Sequence, residues 1–253
     1  MGLNRTQLTE IAKSTGYPVK AAWVEGHGEM GEVEGVVLHH TGSSDSIPGD
    51  YPTLRVVTEG RPGLDGPLCN FGIGRSGTIY LISEGVGWHA GVGEFRGITK
   101  GNSRFLGIEA ESGGAGVWSE ELLDSYARLT AAILHYIGKD ASWAIRHAEW
   151  ALPKGRKNDT AGIDMAKFRA KVTAMLAKPE TINRNYNVEE DMTPDQMKDV
   201  FTDWKISTAR GPRSLLQMIS AADGAATRIP ELEKDITSLQ AEIAALRVEI
   251  KGE

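Results

Sequence analysis

Two hydrophobic periods divide the chain. Short apolar runs bounded by Gly, Pro or polar residues predict strands: EGVVLHH (34–40), RFLGIEAE (104–111), and the two arms of CNFGIGRSGTIYLI (69–82), a hairpin turning at Arg75-Ser76-Gly77. Elsewhere apolar residues recur every three or four positions. Leu122, Tyr126, Leu129, Ile133 and Ile137 form one stripe, opened by a capping Ser119 with Glu120 and Glu121 in the first turn and closed by Gly138. Asp164 caps another helix, with Met165, Phe168, Val172 and Met175 inward, and a short helix over 5–15 ends before Tyr17-Pro18. The stretch from Thr41 to Pro67, rich in Gly, Pro, Ser and Asp, reads as a long irregular loop. Helices mixed with strands over residues 1–178 predict one α/β domain.

The pattern changes after Lys178-Pro179. Residues 179–192 are polar and linker-like. Over 193–226 a capping box, Thr193-Pro194-Asp195-Gln196, opens a helix carrying Met197, Val200, Phe201 and Trp204, and a second short helix surrounds Leu215 to Ile219. In 229–253, Ile229, Leu232, Ile236, Leu239, Ile243, Leu246 and Ile250 alternate spacings of three and four, with Ile at a and Leu at d. That combination favours a parallel two-stranded coiled coil, in which Glu242 and Arg247 attract across a homodimer. The expected whole is an α/β domain followed by a helical C-terminal region ending in a coiled coil.

Composition removes several function classes. A net charge of −6 without a concentrated basic run argues against nucleic acid as a partner. The single cysteine, Cys69, leaves no disulfide framework and no Cys-rich zinc knuckle. No apolar stretch approaches the roughly 18 residues of a membrane span, and the polar N-terminus lacks the apolar core of a secretory signal. The expectation is synthesis in the cytoplasm, with release to any other site of action by separate means.

The first apolar run ends in adjacent His39 and His40. Side chains alternate across a strand, so the rings point to opposite faces and at most one joins a given site. Three further patches carry polar chemistry: WHAG (88–91), GIEAE (107–111) and RHAEWALPKGRKND (146–159). Each alone has a plain structural explanation. Together they fit a zinc hydrolase, whose metal needs about three protein ligands and an open position for water. His40, His147 and Asp159 supply two imidazoles and a carboxylate. Glu109 can take a proton from that water and return it to a leaving amine. Lys157, two residues before Asp159, can place positive charge near the developing oxyanion.

VVLHHTGS, CNFGIGRSGTIY, WHAG, LGIEAE and His147 with RKND resemble, in order and over about residues 30–175, the type 2 N-acetylmuramoyl-L-alanine amidase domain shared with peptidoglycan recognition proteins. GDYPTL followed by GRPGLDGPLCNFGIGRSGT is most similar to endolysins of phages infecting actinobacteria. The resemblance implies a central mixed β-sheet flanked by helices, with zinc in a groove that binds the glycan–peptide junction. It implies cleavage of the amide between the muramic acid lactyl group and L-alanine. It makes His40, which immediately precedes the Thr of the HT pair, the first zinc ligand, and leaves His39 for packing or a supporting hydrogen bond. His147 and Asp159 match the other ligands, Lys157 and Glu109 the catalytic groups, and His89, with Asn70 and Trp88, the substrate contacts. Cys69 stands where some relatives carry a catalytic tyrosine. Those relatives tend to lack the glutamate, so Cys69 beside Glu109 points to the glutamate-using branch. The interval from His147 to Lys157 is two residues longer than in some relatives.

The expected function is a phage endolysin, made in the host cytoplasm and acting on bacterial, in particular actinobacterial, peptidoglycan after a holin opens the membrane. A non-catalytic peptidoglycan-binding module would have lost a ligand. A cytoplasmic muropeptide-recycling amidase would lack the coiled-coil tail.

Overall fold

The computed structural model describes residues 2–114 and 118–185. In chain order these form α1 (Arg5–Ser14), β1 (Val19–Ala21), β2 (Gly35–His40), α2 (Leu54–Glu59), β3 (Gly60–Arg61), β4 (Leu64–Asp65), β5 (Phe71–Ile73), β6 (Ile79–Leu81) and α3 (Gly101–Arg104). Then follow β7 (Phe105–Ala110), α4 (Glu120–Tyr136), β8 (Ala144–Arg146), α5 (His147–Trp150) and α6 (Met165–Ala177), with 3-10 turns at Ala141–Trp143 and Pro179–Ile182. The helical segment expected over 193–226 and the coiled coil over 229–253 lie outside the described residues.

Six strands make one sheet in the order β1-β6-β5-β7-β2-β8. Only the β5–β6 hairpin is antiparallel; the other neighbours run parallel, so the sheet is mixed as expected. Helices α1, α4 and α6 cover one face. There Val36 and Leu38 of β2 and Leu106, Ile108 and Ala110 of β7 join Leu8, Leu122, Tyr126, Leu129, Phe168 and Val172 in the main core. The opposite face carries two smaller clusters, Val37, Phe105 and Ile145 with Ala90 and Trp150, and Tyr51, Val57, Tyr80 and Ile82 with Cys69. Burying both faces makes β2 and β7 apolar at nearly every position. Each fully buried Leu or Ile contributes about 1.5–3 kcal/mol relative to exposure.

The predicted caps are in place. Ser119 Oγ accepts from Leu122 N at 3.1 Å, and Asp164 Oδ1 from Ala166 N at 3.0 Å and Lys167 N at 3.1 Å. The stretch expected as irregular loop contains α2 and the β3–β4 pair, elements too short to show a period. The Arg75 guanidinium gathers the preceding segment by donating to the carbonyls of Ser44, Ile47 and Gly49. Strands β1 and β8, of three residues each, carried no sequence signal of their own. The packed body also runs past the boundary expected at residue 178. Ile182 is buried, Arg128 Nη1 donates to its carbonyl at 3.0 Å, and Arg184 N donates to Thr15 O at 2.9 Å.

One ion-pair cluster ties the start of β2 to two other elements. Glu34 Oε2 accepts from Lys139 Nζ at 2.7 Å, and Oε1 accepts from Arg104, just before β7. Hydrogen bonds from Lys139 and then Arg104 hold the Glu34 carboxyl below the usual range. Glu34→Gln is therefore expected to cost about 2 kcal/mol at pH 7. Because folding lowers this pKa, the contribution is full above the unfolded value of about 4.3 and fades as pH falls through the folded one. Urea unfolding of both forms between neutral and acid pH should show the difference closing at low pH. A difference independent of pH would count against the ion pair.

Candidate metal centre and active site

Register assembles the site. β2 and β7 pair His39 with Glu109, and β5 pairs Gly72 with Glu109 on its other side. Cross-strand partners share a face, so these residues form one row on the face opposite α4. β8 pairs Arg146 with Leu38, and His147 follows as the first residue of α5, level with His39. Asp159 arrives from the loop before α6, anchored by its carbonyl, which accepts from Ala148 N at 2.7 Å.

The result is a cluster of His39, His147 and Asp159. His39 Nδ1 lies 3.0 Å from His147 Nδ1, and Asp159 Oδ2 lies 3.1 Å from the former and 2.9 Å from the latter. The side chains are 1%, 4% and 13% exposed, so water cannot neutralise them. The outer nitrogens settle the tautomers. His147 Nε2–H donates to Ala90 O at 2.9 Å. His89 Nε2–H donates to Phe105 O at 3.2 Å, which leaves His89 Nδ1 to accept from His39 Nε2–H at 3.1 Å. Both inner Nδ1 atoms are then unprotonated, and three electron-pair donors face one another. A cation satisfies this geometry, and two imidazoles with one carboxylate is a donor set that suits a catalytic zinc.

Electrostatics agree with ligand chemistry. Burial, with the neighbouring His147 and against the pull of Asp159, brings His39 down to about 4, so the ring is neutral at pH 7. His89 is pushed lower than an ordinary histidine by burial and by His39 and His147. Burial raises Asp159, but the adjoining His147 and His39 outweigh it and keep the carboxylate ionised. Glu109 has the opposite balance. Burial raises its carboxyl pKa well above the usual range, the Asp159 charge adds, Lys157 opposes, and Glu111 adds. Its buried Oε2 has no hydrogen-bond partner among the described residues. Lys157 is close enough for its charge to act on both His39 and Glu109.

Three expected roles change. The histidine that meets His147 and Asp159 is His39, not His40. His40 pairs with Ala110, shares the helix-covered face with Val36 and Leu38, and lies edge-on to Trp118 at 6.0 Å between centroids. The expected substrate contact His89 is 6% exposed and spends both ring nitrogens inside the protein. Asn70 is fully buried and staples backbone, donating to Ser83 O at 3.1 Å and Gly85 O at 2.9 Å and accepting from Gly107 N at 2.9 Å. Of the three expected substrate contacts, Trp88 alone is exposed, stacked on His27 at 3.8 Å. Cys69 is wholly buried, and burial pushes its thiol pKa up, as for an inert core residue.

Supporting residues absent from the sequence expectations also emerge. Tyr126 Oη donates to His39 O at 2.9 Å and Ile108 O at 3.2 Å, pinning β2 to β7 beneath the site. Tyr51 Oη donates to Glu109 O at 3.0 Å. Glu111, one position past β7, is buried and accepts from Thr53 N at 3.3 Å. Each acts on a residue more than fifty positions away, which no local motif announces.

The Amidase_2 family model, described as N-acetylmuramoyl-L-alanine amidase, matches residues 29–162. No curated protein matches the chain. Among solved structures, a selenomethionine derivative of AmpD shares 22% identity at a TM-score of 0.50, over 63% of this chain and 98% of that one. The N-acetylmuramyl-L-alanine amidase AmiD from E. coli, in complex with substrate, shares 16% at 0.47, over 57% of this chain and 59% of that one. The amidase LysC from Clostridium intestinale URNW shares 19% at 0.44, over 60% and 97%. The AmpD likeness speaks to the fold. The family match spans more than half of the chain and contains His39, Glu109, His147 and Asp159, and so the chain belongs to the Amidase_2 family of N-acetylmuramoyl-L-alanine amidases.

Proposed function

We propose that this peptidoglycan amidase is a zinc enzyme of the endolysin type, cutting the amide between the muramic acid lactyl group and L-alanine. The observation that carries the metal reading is the convergence of His39 Nδ1, His147 Nδ1 and Asp159 Oδ2, with both outer Nε2 atoms taken by hydrogen bonds elsewhere. His39, His147 and Asp159 would hold a zinc ion, which would supply a Lewis acid for the scissile carbonyl and a water of pKa about 7.

The chain's own groups complete the chemistry. Glu109 faces the same side as His39 with a buried, unpartnered oxygen, and its raised pKa suits a group that takes the water's proton and returns it to the leaving amine of L-alanine. Lys157 supplies positive charge for the oxyanion that develops as the carbonyl carbon becomes tetrahedral. Trp88, exposed at 41% and held flat against His27, offers an aromatic surface to the glycan or stem peptide. A module that only bound peptidoglycan would have no use for a buried carboxyl oxygen without a partner among the described residues.

The endolysin assignment rests on the similarity of the 49–78 region to lysins of actinobacterial phages. In this reading the substrate is the actinobacterial wall, reached once a holin has opened the membrane. The heptads of 229–253 pair two chains, so that two catalytic domains meet one polymeric substrate.

Metal analysis of purified protein should find one zinc per chain in the wild type and in His40→Ala, and little in His39→Ala; the reverse pattern would restore His40 as the ligand. Glu109→Gln should keep its zinc and lose about 10²–10⁴-fold in rate on actinobacterial peptidoglycan, read by mass spectrometry of fragments with new L-alanine amino termini. Undiminished release would remove Glu109 from catalysis. Light scattering of the full chain should give twice the chain mass, and a single-chain mass would sink the dimer.

A further inference from the structure

We propose that His89 and Asn102 are positioning residues of the metal centre, together fixing which nitrogen each histidine ligand presents. The inference rests on the zinc reading above and adds to it residues that touch neither metal nor substrate.

Both ligands meet the cluster through Nδ1, and in both the outer Nε2 is tied to one short segment. His39 Nε2 bonds His89 Nδ1 at 3.1 Å, and His147 Nε2 bonds the carbonyl of the next residue, Ala90, at 2.9 Å. An imidazole can present either nitrogen to a metal, and the hydrogen bond made by the other one decides between them. Residues 89 and 90 therefore set the choice for both rings.

That segment is itself fixed. Asn102 Oδ1, in α3, accepts from His89 N at 3.1 Å and from Ala90 N at 2.7 Å. Three residues on, Phe105 at the start of β7 supplies the carbonyl that orients the His89 ring, at 3.2 Å. The ring lies flat on the sheet over Gly107, where an added Cβ would stand 2.6 Å from His89 Cγ. Gly107 is held in turn by Asn70 Oδ1 at 2.9 Å. The polar atoms of His89 and Asn102 are thus spent on orientation: one amide oxygen aligns two backbone N–H groups, and these carry the two acceptors that the ligands need.

Outer partners of this kind are worth about 10–100-fold in metal affinity. The test measures zinc affinity by competition with a chromophoric chelator, alongside kcat and KM at saturating zinc. His89→Phe keeps a ring but removes the acceptor for His39 Nε2–H, and should weaken zinc binding within that range while lowering kcat more than KM. His89→Gln restores an acceptor and a donor at similar reach, and should recover most of the loss. Asn102→Ala should weaken zinc as well, and Asn102→Asp, which keeps the double acceptor, should not. If the phenylalanine ring does not fit over Gly107, the Asn102 pair and His89→Gln still decide.

Wild-type zinc affinity in a folded His89→Phe or Asn102→Ala protein would overturn the proposal. So would a His89→Gln protein as weak as His89→Phe, since that would make the role one of packing. A wild-type chain that takes up no zinc would overturn the metal reading itself, which separates that failure from this one.

Discussion

Two imidazole nitrogens and a carboxylate oxygen, lone pairs inward and shielded from water, form an arrangement that a protein alone opposes. Unpaired acceptors held together away from solvent cost several kcal/mol in desolvation and mutual repulsion. The fold brings them together from three directions, β2, the start of α5 and the loop ending at Asp159. It holds each from behind through the His89 ring, the Ala90 carbonyl and the Ala148 amide. A bound metal, as proposed, would offset this unfavourable preorganisation and so couple metal affinity to the rigidity of the surrounding sheet. Much of what looks like ordinary packing near the site, including Gly107 beneath His89 and Tyr126 beneath His39, serves that rigidity.

The same row separates two carboxylates by environment. Asp159 lies against both histidines and stays ionised against the cost of its burial. Glu109, level with His39 on the neighbouring strand, has no hydrogen-bond partner at Oε2 among the described residues and is pushed toward its neutral form by burial and by the Asp159 charge. A ligand must keep its charge and a proton carrier must be able to lose it, so the proposed division of roles follows from which carboxylate the imidazoles reach. Lys157 pulls the other way on Glu109. In the proposed reaction the same cation would also face the substrate's developing negative charge.

The fold was legible where elements are long or end in chemistry. Helices α1, α4 and α6 have capping side chains and unbroken stripes, and β2 and β7 have apolar runs no other element matches. Three-residue strands and helices of four to six carry too few positions for a period; the turn at Arg75-Ser76-Gly77 announced β5 and β6, while β1, β8 and α2 had no such marker. Among site residues, Glu109, His147, Asp159 and Lys157 were legible as residue types that the fold then gathers. The choice between His39 and His40 was not. It turns on which face of β2 meets the site, and a strand buried on both sides is apolar at both parities: Val36 and Leu38 enter the main core while Val37 enters the smaller one. The internal bonds of Asn70 and His89 were hidden for a related reason, since their partners include backbone atoms at Ser83, Gly85, Gly107 and Phe105 whose proximity only the folded sheet creates.

Parity also explains why a histidine doublet is workable here. In a parallel sheet covered on both faces, shifting the register of β2 by one residue would exchange His39 for His40 and send Val37 to the helix side, which the matched register with β7 and β8 prevents. Tyr126 reinforces the register from below, since its hydroxyl accommodates both His39 O and Ile108 O only when the two strands are aligned as they are. His40 then extends the opposite face beside Trp118, with Nδ1 unpartnered among the described residues. That ring contributes packing and no lone pair to the cluster. Which histidine joins the cluster is therefore a property of strand alignment across the whole sheet, secured by a tyrosine eighty-seven residues away in the chain.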